Sequence, residues 1–174
     1  MTYLTTREDT QLYVKQWGAG RPVILLHGWP LSSDMWDHHA MKLAEAGYRT
    51  IAYDRRGFGR SSQPWTGYDY DTLADDLASV IEQTGARDAV LVGFSMGGGE
   101  VARYMSRHAG KGVTQAALVS SVVPPLLRAS AALMPPSASD RATVGALGAV
   151  VSRRRASVSV PVRPNRLVTL TCGV

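Results

Sequence analysis

The chain has 174 residues, a net charge of +5 and a single cysteine, values that suit one globular domain. Cys172 alone cannot form an internal disulfide or a thiolate zinc site, so a cysteine-stapled scaffold is excluded and a reducing compartment is expected. There is no apolar run followed by a small-residue cleavage site at the N-terminus, and no stretch reaches the roughly 18 apolar residues of a membrane span. We therefore expect a cytoplasmic protein with no membrane partner.

The composition changes late in the chain. Residues 1–125 carry 12 basic and 13 acidic side chains, whereas residues 126–174 carry seven arginines, no lysine and one acid. All 13 aromatic residues lie at or before Tyr104. The sequence therefore predicts a folded core over residues 1–127. For residues 128–174, rich in arginine, alanine, serine and proline, it predicts a tail of low order in which one short helix or strand could form.

Short apolar runs alternate with amphipathic segments along the first two thirds of the chain. Four runs have strand length and are mostly β-branched or aliphatic: residues 23–26, 50–53, 89–94 and 116–123. Before them, residues 3–6 and 12–17 predict an antiparallel hairpin with Glu8 and Asp9 in its turn. This alternation is typical of an α/β fold, a doubly wound, mostly parallel sheet with helices on both faces.

Three helices are predicted between the apolar runs. Ser33 is the expected cap of the first, which Gly47 ends. Asp71 opens the second, which ends before Gly85. The third begins at or just after Ser95, and its apolar positions continue to the glycine at position 110.

The strongest chemical signal is the run Gly-Phe-Ser-Met-Gly at residues 93–97. It is a G-x-S-x-G motif with a buried strand before it and a helical pattern after it, the context of a nucleophile elbow. Such a turn leaves no room for side chains beside the serine. We interpret Ser95 as a nucleophile at a helix N-terminus, where backbone amides favour negative charge. The alternative is that the glycines mark an ordinary loop.

A second motif, His-Gly-Trp-Pro, follows the first apolar run at residues 27–30. An elbow hydrolase takes one oxyanion donor from this loop and the other from the amide after the nucleophile, so Trp29 and Met96 are the candidate donors. The Trp29 indole is expected to form a wall of the acyl pocket. His27 is interpreted as bracing the loop, and the alternative role of catalytic base is less favoured because the base follows the serine in this chemistry.

A third motif, Asp-Arg-Arg-Gly-Phe-Gly-Arg-Ser-Ser, occupies residues 54–62. Together the three motifs resemble the α/β-hydrolase superfamily and, within it, the cofactor-free (non-haem) bacterial haloperoxidases, also called perhydrolases, and their aryl-esterase relatives. The resemblance covers residues 1–127. It leaves the last strands and closing helix of that fold without a counterpart, so we expect a sheet that is incomplete on its C-terminal side.

The resemblance implies ester hydrolysis or peracid formation through an acyl-enzyme on Ser95, with backbone amides of Trp29 and Met96 as the oxyanion hole. It further implies a pocket lined by Trp29, Pro30 and Phe94. The expected substrates are a small ester, or a carboxylic acid with hydrogen peroxide. No cofactor, metal or haem is implied, and no nucleic acid is an expected partner.

Two segments leave alternatives open. Pro30 could aim the Trp29 carbonyl at a peroxide molecule, which favours a perhydrolase over a plain esterase, or it could only stiffen a turn. The arginines of residues 54–57 could bind a phosphate, but a structural crossover loop is the favoured interpretation.

No base for Ser95 can be identified in the sequence. The expected order is Ser, Asp, His, yet only Asp140 and His108 follow Ser95 as candidates. His108 lies 13 residues further along the same predicted helix, about 20 Å away, and His38 and His39 precede the serine. No apolar strand precedes Asp140. We therefore expect impaired activity.

A different class of function is kept as an alternative. The chain could be a non-catalytic remnant or interaction module whose basic tail, with Arg153, Arg154 and Arg155, binds an anionic partner. We hypothesise that the tail is an out-of-frame reading of a longer hydrolase gene. An unfinished sheet edge would also favour self-association.

Overall fold

The computed structural model describes residues 2–121 and the backbone of residues 157–162 and 166–171. Six strands belong to the first of these regions: β1 (Thr2–Thr5), β2 (Gln11–Trp17), β3 (Pro22–Leu26), β4 (Arg49–Tyr53), β5 (Ala89–Phe94) and β6 (Val113–Val119). The hairpin and the first three apolar runs are strands, as predicted. The fourth apolar run belongs to β6, which starts at Val113, three residues before the run, because the two polar residues Thr114 and Gln115 interrupt the apolar pattern.

Three α-helices lie between the strands: α1 (Asp37–Glu45), α2 (Tyr70–Gln83) and α3 (Met96–Arg107). The start of α3 directly after Ser95 is as predicted. The other two starts differ, because Ser32, not Ser33, caps a short 3₁₀ helix that precedes α1. Asp69, not Asp71, caps α2, since its carboxylate accepts the backbone N–H groups of residues 71 and 72 at 3.0 Å.

The six strands form one sheet in the order β1-β2-β4-β3-β5-β6. Strands β3 to β6 run parallel to one another, and the β1–β2 hairpin joins the sheet antiparallel beside β4. The carboxyl ends of β3, β4 and β5 therefore meet at one edge of the sheet, where ligand sites of open α/β sheets form. The predicted doubly wound, mostly parallel α/β architecture is confirmed.

Alternate residues of the central strands face opposite layers. Ile24 and Leu26 point to the larger core, which α2 and α3 cover. Val23 and Leu25 point to a smaller core that Trp36 and α1 close. This two-sided burial explains why the central strands are continuously apolar in sequence, and it fixes their carboxyl ends as a rigid platform.

The later part of the chain forms a separate two-stranded antiparallel sheet from β7 (Ser157–Val162) and β8 (Arg166–Thr171). The tail thus contains two strands, whereas the sequence indicated room for one short helix or strand. The proposed boundary at residue 127, Asp140 and Arg153 to Arg155 lie outside the described residues. In the described part of the chain, no helix is long and apolar enough to cross a membrane.

Strand β6 gives a prediction about association. It pairs with β5 along one edge; the β7–β8 hairpin lies near β6, but no described strand hydrogen-bonds to its other edge. Unpaired strand edges template pairing between chains. We expect light scattering after size-exclusion chromatography to give a mass above that of one chain and increasing with protein concentration. A single-chain mass at every concentration would contradict the expectation.

Candidate active site

Ser95 lies on the sharp turn between β5 and α3. Its backbone has φ of 51° and ψ of −115°, a left-handed conformation that a serine adopts only under strain. Its amide donates a hydrogen bond of 3.0 Å to the carbonyl of Val119 in β6, and its carbonyl accepts from the amide of Gly98 at 3.0 Å. The turn is therefore held from both sides, as the elbow interpretation requires.

Two glycines permit this turn. A Cβ added to Gly93 would lie 2.5 Å from the carbonyl oxygen of Gly97, and one added to Gly97 would lie 2.5 Å from that of Leu26. Both distances are shorter than any van der Waals contact, and both involve main chain that cannot rotate away. Any side chain at either position would push α3 off the ends of β3 and β5.

The loop after β3 contacts the elbow. A Cβ added to Gly28 would lie 2.8 Å from the Phe94 ring and 3.1 Å from the Cβ of Ser95, so the absence of a side chain at residue 28 lets the loop lie close against the turn at Ser95. The amide of Leu31 donates to the carbonyl of Gly28 at 2.9 Å and closes a turn that contains Trp29 and Pro30, whose peptide bond is cis. The Trp29 side chain, the predicted pocket wall, is 70% exposed. Phe94, also predicted to line the pocket, is half-buried.

His27 is buried, and both of its ring nitrogens bind main chain. Nε2 accepts the amide of Arg55 at 3.0 Å, which leaves the proton on Nδ1, 2.9 Å from the carbonyl of Gly28. Burial, together with the positive charge of Arg55, lowers the pKa of His27 to about 4. These contacts agree with the bracing role expected from the sequence, because neither nitrogen is directed at Ser95.

A buried ion pair lies under this loop. The Nε of Arg55 donates to Glu100 Oε2 at 2.7 Å, and its Nη2 donates to the carbonyl of His27 at 2.8 Å. Tyr53 donates its hydroxyl hydrogen to the other oxygen of Glu100. The two charged side chains are 1% and 0% exposed. Burial raises the pKa of Glu100, and the Arg55 charge opposes that rise.

The neighbouring charges of residues 54–57 are also paired. Arg56 makes a two-bond ion pair with Asp76 of α2, at 2.6 and 2.7 Å. Asp54 is fully buried and accepts the amides of Ser33 and Arg60 at 2.7 and 2.8 Å. Carboxylates already hold both arginines, so this segment is a structural crossover and not a phosphate site.

The other described histidines lie elsewhere. His108 follows the last residue of α3, at the end opposite Ser95, where its Nε2 is 2.7 Å from Asp75 and its ring stacks on Tyr104. His38 and His39 lie on α1, in contact with each other. Within the described ranges, no three His, Cys, Asp or Glu side chains group as metal ligands.

Sequence reasoning missed the role of Glu100 and Tyr53. The one available signal was an acidic residue next to Val101, on the apolar face of a glycine-rich helix, where an unpaired carboxylate would be costly. Its partner could not be assigned, because Arg55 is 45 residues away in sequence.

Strand order, elbow and loop together define an α/β hydrolase site, and comparison with known proteins agrees. Residues 21–166 match the family model described as alpha/beta hydrolase fold, and the chain belongs to this family. It is 48% identical over 127 residues to non-heme chloroperoxidase CPO-A1 from Kitasatospora aureofaciens, covering 73% of this chain and 46% of the relative. It is 49% identical over 129 residues to bifunctional esterase/perhydrolase DCH from Acinetobacter calcoaceticus, covering 73% and 46%.

Among solved structures, a bromoperoxidase from Bacillus anthracis superimposes with a TM-score of 0.67 at 46% identity, covering 69% of this chain and 44% of that one. The predicted resemblance to non-haem haloperoxidases and perhydrolases is confirmed by these relatives. The chain spans about half the length of the curated relatives it matches.

The first turn of α3 offers a test of the elbow packing. Gly97→Ala places a methyl group against the main chain of β3, so we expect a loss of about 3 kcal/mol or more in the free energy of unfolding, at the upper end of overpacking effects. Gly99→Ala is the control, because its methyl group meets only the half-buried Tyr70 side chain, which can move. Urea unfolding of both variants measures the difference. Equal losses would contradict the packing described.

His27 predicts a pH dependence of stability. Its pKa is about 4 in the folded chain against 6.5 when unfolded, so the unfolded state gains a proton first as the pH falls. The contribution of neutral His27 to the free energy of unfolding is complete well above pH 6.5, and it decreases by about 2 kcal/mol between pH 7.5 and 5. Urea unfolding at the two pH values measures this loss of unfolding free energy. The loss should be smaller in His27→Gln and unchanged in His39→Gln, which alters an exposed side chain. An unchanged decrease in His27→Gln would contradict the assignment.

Proposed function

We propose that the chain is a serine hydrolase of the esterase and perhydrolase kind, with Ser95 as its nucleophile. The observation that carries the proposal is the strained φ of Ser95 at the start of α3, because strain of this type is retained where function needs it. The names of the relatives, a chloroperoxidase and an esterase/perhydrolase, support the reaction class.

The oxyanion hole would consist of two backbone amides. Met96 is the first residue of α3, so its N–H has no acceptor within the helix and lies at the positive end of the helix dipole. The loop in contact with Ser95 would supply the second donor from Trp29. Donors fixed in this way stabilise charge as it develops on the carbonyl oxygen of the substrate.

The reaction would proceed in two steps. The Ser95 hydroxyl oxygen attacks the carbonyl carbon of a small ester, its proton passes to the departing alcohol, and an acyl-serine remains. Water then attacks the acyl carbon and releases the acid together with the regenerated hydroxyl. If hydrogen peroxide attacks instead, its proton regenerates the Ser95 hydroxyl and the product is a peracid, and the Trp29 carbonyl is the candidate acceptor of a hydrogen bond from the peroxide.

The proton transfers need a base, and no histidine within residues 2–121 is directed at Ser95, which would limit the rate. The described histidines are held elsewhere, and Asp140 lies outside the described residues. Loss of the base in serine hydrolases costs about 10⁶ in turnover and leaves roughly 10³ to 10⁴ over the reaction in water. We therefore propose a feeble esterase that binds its substrate and stabilises the oxyanion but transfers protons slowly.

The proposal predicts Ser95-dependent chemistry of low rate. A fluorophosphonate probe should label the chain, and p-nitrophenyl acetate should turn over at less than about 1 per second, below typical enzymes. Both signals should vanish in Ser95→Ala and persist in Ser106→Ala, which alters a serine at the other end of the same helix. Peracid formation can be followed as bromide oxidation in acetate with hydrogen peroxide.

Two results would contradict this proposal. Equal labelling of Ser95→Ala and the parent chain would exclude Ser95 as the nucleophile. Ser95-dependent turnover well above 1 per second would show that a working base is present.

A further inference from the structure

Two consecutive arginines at the carboxyl end of β4 form the same kind of buried ion pair with different helices. Arg56 pairs with Asp76 of α2, and Arg55 pairs with Glu100 of α3. All four side chains are at most 3% exposed. Only the Arg55 pair also touches the loop that contacts Ser95.

Arg55 binds that loop through two atoms of His27. Its backbone amide donates to the His27 ring at 3.0 Å, and its guanidinium donates to the His27 carbonyl at 2.8 Å. The same guanidinium reaches α3 through Glu100 and lies 3.9 Å from the sulfur of Met96. One planar group thus joins the two segments that would supply the oxyanion donors.

We propose that Arg55 and Glu100 are positioning residues, which set the distance between the loop of residues 27–30 and the first turn of α3 and thereby aim the two oxyanion amides. This inference rests on the proposed function of Ser95. Neither residue touches substrate. Glu100 lies in the second turn of α3, five residues after the nucleophile, so its position and that of the Met96 amide are rigidly linked.

These contacts require a guanidinium paired with a carboxylate, and two opposite charges of other shapes would not suffice. The guanidinium carries several N–H donors that point outward within one rigid plane, which allows it to bind the carboxylate and the His27 carbonyl together, whereas a lysine ammonium is a single compact charge on a flexible chain. Arg55→Lys keeps the charge but cannot keep both contacts at these lengths. Glu100→Gln keeps the shape and removes the charge.

The test compares these two variants with Asp76→Asn in the full chain. Asp76 hydrogen-bonds to Arg56 and to no described residue of the loop or α3, so Asp76→Asn weakens the neighbouring pair of equal burial and controls for lost stability. At a temperature where all chains are folded, we expect fluorophosphonate labelling of Ser95 to be about 10- to 100-fold slower in Arg55→Lys and Glu100→Gln, the range for misplaced oxyanion donors. Asp76→Asn should label like the parent chain.

A second measurement does not depend on Ser95 chemistry. The Leu31 amide bonds to the Gly28 carbonyl and closes the loop, so its hydrogen exchange by NMR reports how firmly the loop is held. We expect exchange at least about tenfold faster in Arg55→Lys and Glu100→Gln, the two clamp variants, than in Asp76→Asn. Tyr53→Phe, which removes only one bond to Glu100, is the milder variant if the others do not fold, and its expected changes have the same direction.

The outcomes separate the two proposals. Slower labelling and faster Leu31 exchange confined to the clamp variants support the positioning role. Equal effects in Asp76→Asn, or no effect in either clamp variant, overturn it. If the parent chain is not labelled at Ser95, the proposed function fails, and the Leu31 exchange alone then decides whether the pair holds the loop.

Discussion

The close approach of α3 to the carboxyl ends of β3 and β5 is the constraint on which the rest of the site depends. Gly93 and Gly97 are in main-chain contact, and Gly97 also touches the carbonyl of Leu26. This contact forces the backbone of Ser95 into its left-handed conformation and points the start of the helix at the loop after β3. The strain is local, and the apolar layers on both faces of the sheet hold it in place.

Much of the architecture could be predicted because the signals are local in sequence. A buried parallel strand must be continuously apolar, so the strands can be recognised in the sequence. The glycines at positions 93 and 97 are required by contacts a few residues away, so the G-x-S-x-G motif can be recognised as well. The helix caps were misplaced by one or two residues. Ser32 and Ser33, like Asp69 and Asp71, have similar capping chemistry, and only the backbone conformation distinguishes them.

The buried charges could not be predicted for a different reason. Arg55 and Glu100 are individually atypical of a core, and only their pairing makes the burial tolerable. The paired residues are far apart in sequence, so the local sequence pattern does not predict the pairing. The same holds for Lys15, which is 3% exposed and lies between Asp34 and Asp37. Breaking such a pair leaves one uncompensated charge, which costs about 3–5 kcal/mol, so these contacts also determine which arrangement of loops is stable.

The hydrogen bond from the Ser95 amide to Val119 connects the turn at Ser95 to β6, the last strand of the six-stranded sheet along the chain. Ser121, two residues further on, packs directly against Gly98 in the first turn of α3. Ser95 is thus hydrogen-bonded to the strand that leads into residues 122–156. A displaced or unpaired β6 would remove the support on one side of the turn at Ser95. If Ser95 acts as the proposed nucleophile, an altered C-terminal sequence would change its reactivity through this contact alone, without any C-terminal residue entering the site.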